Sequence, residues 1–147
     1  MVRRGLKNAP PAPWPSVVLD SQGLWAVTSN DSEDARAVLA ASSQAGVPVL
    51  VPTAVLAETL MGDERDARAN QVLKKLQTVP LTDSIARSAA RLKRLAGMTG
   101  VAATIDAIVV ATSAAAGGGV ILTSDPDDIG VLASHVSDMR IRPIRMR

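Results

Sequence analysis

Four acidic residues stand where apolar segments end or helices are expected to begin. Asp20 closes the run Val17-Val18-Leu19, and Asp125 follows Ile121-Leu122-Thr123-Ser124. Glu58 is flanked by Val55-Leu56-Ala57 and Leu60-Met61, while Asp106 opens a stretch rich in Ala and Val. Like charges brought together repel, and burying them unpaired costs several kcal/mol each. A hard divalent cation removes that penalty, lowers the pKa of a bound water and stabilises charge on a phosphodiester in transit. The expected chemistry is hydrolysis by an in-line, metal-activated water. The chain has no cysteine and a single histidine, His135, so the usual zinc sites and any catalytic triad not built on that residue are excluded. A metal would be held by oxygen, which points to Mg²⁺ or Mn²⁺.

Each acid taken alone has a simpler explanation. Asp20 could cap the helix containing Trp25, and Asp125 could cap the helix after Pro126. Asp106 could be a first-turn acid that favours the helix dipole. Glu58 is harder to dismiss, because an acid among apolar neighbours wants a partner, although a nearby arginine could serve. The convergence of all four raises the functional reading above these alternatives.

Convergence depends on the elements that carry them. Residues 16–20, 47–51 and 120–123 read as buried strands, and 78–81 as a further short strand. Helices are expected over 32–45, 53–61, 64–77, 82–96 and 104–116, with a short one reaching Ser134. Residues 139–147 alternate apolar residues with arginines and contain Pro143, which suits an edge strand. Continuous apolar strands separated by helices predict an α/β fold, a three-layer sandwich with a central parallel sheet. In such sheets ligands bind beyond the carboxyl ends of the strands. Asp20 and Asp125 end strands there, and the helices bearing Glu58 and Asp106 start there. Asp128, one turn beyond Asp125, is a possible fifth acid. Gly117-Gly118-Gly119 follows a helix and is expected to be a turn rather than a phosphate loop.

The formal net charge of +2 conceals an asymmetry. Both ends are basic (Arg3, Arg4, Lys7; Arg140, Arg142, Arg145, Arg147), leaving nine basic against 14 acidic residues over 16–138, a net of −5. An acidic body needs bound cations before it can hold a polyanion. Residues 1–15 read as a disordered proline-rich leader, with the folded domain over 16–147. Pro10, Pro11, Pro13 and Pro15 argue against a secretory signal, and the stretch 105–122 is interrupted by Asp106 and three glycines, so a cytoplasmic protein is expected.

At this point Val18-Leu19-Asp20, Val51-Pro52 through Leu56-Ala57-Glu58, Ile105-Asp106-Ala107-Ile108-Val109 with Ala111-Thr112, and Ile121-Leu122-Thr123-Ser124-Asp125 resemble the PIN-domain ribonucleases. More closely they resemble the VapC-type toxins of bacterial toxin–antitoxin pairs, over about residues 17–146. The resemblance implies an Mg²⁺- or Mn²⁺-dependent endoribonuclease, often cutting transfer or ribosomal RNA. It also implies a homodimer and inhibition by a cognate antitoxin entering the active-site groove. By motif, Asp20, Glu58, Asp106 and Asp125 match the acidic quartet that binds metal and catalyses. Thr123 matches the Thr of the T-x-D segment, and Asp128 a position that is often acidic. Ile129 stands where an aromatic is common, and the leader to Pro15 is longer than usual.

Other features have two readings. Arg87, Arg91 and Arg94 share one helix face and could contact RNA phosphates, or could simply be a solvated face. The terminal arginines could meet RNA, or could protect an edge strand from unwanted pairing. Trp25 is expected in the core, with a place beside the groove as the alternative, and His135 has no assigned role. A catalytically silent PIN-like module that binds RNA or protein is the rival to a nuclease. A phosphoacceptor receiver-like domain is disfavoured because it would want a lysine late in the sheet, and the last lysine is Lys93.

Overall fold

The computed structural model describes residues 14–137 and 139–146. Residues 1–13, and with them most of the expected leader, lie outside the described residues, as do Asp138 and Arg147. The elements run β1 (Val17–Leu19), α1 (Ser21–Ser29), α2 (Glu33–Ala45), β2 (Val49–Pro52), α3 (Thr53–Thr59), a 3₁₀ turn (Glu64–Asp66), α4 (Ala67–Leu73), β3 (Gln77–Val79), α5 (Asp83–Ala96), α6 (Val101–Ala115), β4 (Gly119–Thr123), α7 (Pro126–Ala133) and β5 (Ile141–Arg145). The five strands form one parallel sheet in the order β3-β2-β1-β4-β5. The expected three-layer α/β architecture is present, and β5 is the edge strand the Pro143 argument called for.

The strands are uninterrupted apolar runs because both faces of the sheet are covered. Val17, Val18, Leu19, Val51, Val120, Ile121 and Leu122 are all buried, each worth about 1.5–3 kcal/mol relative to exposure. Helix α6 crosses β1, β2, β4 and β5 with α5 and α7 beside it, while α1 covers β1 and β4 from the other face, packed with α2 and α4. Ala107 to Ser113 are buried without a break, so α6 has no polar face over that stretch. Among the described residues no single helix is long and apolar enough to cross a membrane. Helices α5 and α6 reach that mark only as a pair bent by 118°.

Four details differ from the sequence expectations. The helix expected over 64–77 is a 3₁₀ turn, the short α4 and the start of β3. The cause is Asp66, a buried acid whose carboxylate accepts the N–H groups of Met61 and Gly62 at 2.9 and 2.7 Å, closing the loop onto itself. Strand β3 ends at Val79 rather than Leu81, since Pro80 has no N–H and the Leu81 amide turns to the Thr53 hydroxyl. Helix α6 begins at Val101, three residues before the expected start, from Gly100 at a φ of 99°. Trp25, expected in the core, is 63% exposed.

Candidate active site

Strand β1 delivers Asp20 to the carboxyl edge of the sheet, and the parallel register Leu19↔Leu122 puts the next residue of β4, Thr123, beside it. Asp20 Oδ1 accepts the Gly23 N–H at 2.7 Å and so caps α1. The buried Thr123 hydroxyl hydrogen-bonds the Asp20 carboxyl and accepts the Asp125 N–H at 3.1 Å. One hydroxyl therefore ties the first acid to the backbone of the last. Gly23 permits the close approach of α1: a Cβ there would sit 2.6 Å from the Leu122 carbonyl oxygen.

The other acids arrive on helices. Asp106 stands in the second turn of α6, not the first, because the helix begins at Val101; the dipole explanation for it therefore loses its basis. Glu58 is exposed near the end of α3, and its Oε1 accepts the hydroxyl proton of Ser21. Asp125 precedes α7 but makes no side-chain capping bond, and Asp128 lies in that helix's first turn. Capping thus accounts for Asp20 in part and leaves the Asp125 carboxylate without that role.

Electrostatics show the convergence. Burial raises the Asp106 carboxyl to about 6, and repulsion from Asp20, Asp128, Glu58 and Asp125 adds to the rise. Burial also raises Asp20, opposed by its bonds to Thr123, Gly23 and Gln22 and reinforced by Glu58. The ion pairs Arg65–Asp63 and Arg87–Asp83 involve none of these five acids. No three carboxylates are gathered closely enough among the described residues to close around an ion as they stand. The cluster is an open rim with oxygen donors only, which suits a hard cation that retains much of its water.

A carboxyl whose folded pKa stands above its unfolded value holds its proton first in the folded state. Its penalty is absent below about 4 and complete above about 6, so stability falls as pH rises through that window. Solvent on the open side limits the effect to about 1 kcal/mol, or roughly 3 °C in melting temperature. In chelator, Asp106→Asn should therefore melt roughly 3 °C above wild type near neutral pH, with the gap closing by about pH 4.5. A gap independent of pH, measured by thermal denaturation, would show that the repulsion does not act.

The three arginines of α5 do not all lie together with the acids. Arg87 pairs with Asp83 at 2.8 Å. Arg91 lines a cavity of about 200 Å³ with Ala111, Ala114 and His135, one to two turns along α6 from Asp106. Arg94 is exposed in the last turn of α5, next to Lys93, whose Nζ donates to the Thr104 hydroxyl at 2.7 Å. A cavity of about 480 Å³ lies at the opposite, amino edge of the sheet between Val47, Val49, Lys74, Lys75 and Gln77 and is lined by no acid. Ser21 and Gly23 are site residues beyond those expected from the sequence. Their signal was local, since a residue following a strand-end acid and a glycine three positions after it mark a capped helix pressed against the strand end.

The PIN domain family model matches residues 17–132. Among curated proteins none matches the sequence. Several solved structures share the fold. VapBC2 from Rickettsia felis, bound to a DNA fragment from its promoter, superposes with a TM-score of 0.63 at 10% identity, covering 87% of this chain and 98% of that one. A toxin–antitoxin complex from Klebsiella pneumoniae gives 0.58 at 17% identity over 77% and 89%. VapBC-5 from Mycobacterium tuberculosis, a member of the VapBC toxin–antitoxin family, gives 0.52 at 22% identity over 89% and 98%.

Proposed function

The chain belongs to the PIN-domain family, and from that premise we propose that it is a divalent-metal-dependent endoribonuclease and the toxin of a toxin–antitoxin pair. The observation that carries the proposal is the gathering of Asp20, Glu58, Asp106, Asp125 and Asp128 around one strand edge, with no basic partner for any of them among the described residues. Asp20, Asp106 and Asp125, with Glu58, would hold Mg²⁺ or Mn²⁺. When bound there, the ion neutralises the cluster and acts as a Lewis acid toward water and phosphate.

The chain's own groups do the rest. Thr123 and Gly23 fix the orientation of the Asp20 carboxylate. Ser21 restrains the otherwise exposed Glu58. Asp106, which burial and the surrounding carboxylates raise to about 6 without a cation, is the acid that gains most when a cation offsets that repulsion. Of the three α5 arginines, Arg94 is our candidate for an RNA phosphate contact, since it is exposed and its helix end leads into α6. RNA as substrate, transfer or ribosomal RNA included, is supported by family membership. A cognate antitoxin as partner is supported by the nature of the structural neighbours. We extend the same reading to a homodimer working in the cytoplasm.

The open geometry of the acids favours one other reading, a PIN module that binds RNA without cutting it. Purified protein incubated with labelled transfer and ribosomal RNA separates the two. Cleavage is expected with Mn²⁺ and none with excess chelator. Retention of RNA on the protein without cleavage in either condition would establish the silent module instead.

A further inference from the structure

The chain has no Phe or Tyr and only two Trp, yet one of them, Trp25, is 63% exposed. Trp14, by contrast, packs against the core. Trp25 lies four residues after Ser21 on α1, so both occupy the same helix face. Helical side chains lean toward the helix N-terminus, so the indole leans along α1 toward its Ser21 end, where the Ser21 hydroxyl meets Glu58. Its helical neighbours at three and four residues' distance, Ser21, Gln22, Thr28 and Ser29, are all polar. On α1 itself the ring stands alone among polar side chains, which suits a flat ligand, whereas a protein interface is built on a contiguous apolar patch.

The electrostatics of the rim favour the same ligand. The acid cluster repels a phosphate backbone, so affinity for a strand must come in part from contacts that do not depend on charge. Base–aromatic stacking is such a contact, and single-stranded RNA splays its bases onto rings of this kind. We infer that Trp25 is a stacking platform for a nucleobase adjacent to the phosphodiester cut at the acid cluster, an inference that rests on the nuclease reading above. The site takes an unpaired nucleotide, of any base, on the α1 side of the rim.

The test compares wild type, Trp25→Ala and Trp25→Phe in steady-state RNA cleavage with Mn²⁺, and in tryptophan fluorescence titrated with oligouridylate. Trp25→Ala should raise KM about tenfold or more with kcat within about twofold, and Trp25→Phe should restore most of the loss. Oligouridylate should quench the wild-type emission and leave the Trp14 emission of Trp25→Ala unchanged. Wild-type cleavage with KM unmoved in Trp25→Ala overturns the stacking role and leaves the nuclease intact. So does a Trp25→Phe variant as impaired as the alanine one. A Trp25→Ala variant that cuts normally but no longer binds a protein partner gives the ring to that partner and overturns it too. Wild type that neither cuts RNA nor is quenched sinks the nuclease reading, and the platform with it.

Discussion

Asp106→Asn is expected to lower RNA cleavage by about a thousandfold or more, while the protein folds as well as wild type or better. Asp106 is the acid on which four other carboxylates act, and no hydrogen bond or ion pair of its own is found among the described residues. The substitution keeps shape and removes charge, so it takes away the cation ligand proposed above without opening a cavity. A Lewis acid contributes several kcal/mol to stabilising a phosphoryl transition state, and about 4 kcal/mol corresponds to a thousandfold in rate. The same variant should lose the rise in melting temperature that Mn²⁺ gives wild type, because ligand stabilisation follows affinity. Asp20→Asn would be a less clean probe: Asp20 also caps α1, and losing a cap costs about 1 kcal/mol. Cleavage by Asp106→Asn within tenfold of wild type would remove the acid cluster from the chemistry.

The largest effect on stability is expected from Gly119→Ala, at the entry to β4. Gly119 has a φ of 131°, and a Cβ there would lie 2.1 Å from the Ser16 carbonyl oxygen. That oxygen accepts the Val120 N–H at 3.0 Å, and Gly119 itself donates to Arg140 at 2.9 Å. The added methyl would force apart three adjacent strands where backbone atoms, not flexible side chains, must move. Strain and overpacking together should cost about 3 kcal/mol or more, lowering the melting temperature by roughly 10 °C. Gly46→Ala is the control. Gly46 also has positive φ, at 68°, but nothing lies within 4 Å of the added Cβ, so about 1 kcal/mol is expected. Equal losses in thermal melts of the two variants would show that close approach at Gly119 is not the constraint.

Much of this molecule is legible along the chain. Strands β1, β2 and β4 are short, continuous apolar runs, and that pattern forces burial on both faces and hence a parallel sheet. The edge position of β5 follows from Pro143 among alternating arginines. The start of α6 is hidden in the sequence because Val101-Ala102-Ala103 has no capping side chain before it, so the helix begins on backbone geometry at Gly100 alone. The break after residue 63 was invisible because Asp66 reads as one more polar residue until the loop folds back and gives it two N–H groups to hold. Residue type favours the core for Trp25, whereas its exposure depends on which face of α1 meets the sheet, and Gly23 and Leu24 are the residues buried there.

The acids divide in the same way. That Asp20 and Asp125 fall at strand ends, and that Glu58 and Asp106 fall in helices starting at that edge, is a local property of apolar runs and their punctuation. The sequence alone therefore determined which carboxylates could meet. Only the tertiary structure decided how they meet. The strand order sets β4 beside β1, so Thr123 can tie Asp20 to Asp125. The packing of α1 against α3 brings Ser21 to Glu58, and the burial of α6 raises the Asp106 carboxyl. These contacts join residues up to about a hundred positions apart. Their geometry is set by how whole elements pack, which no window of sequence contains.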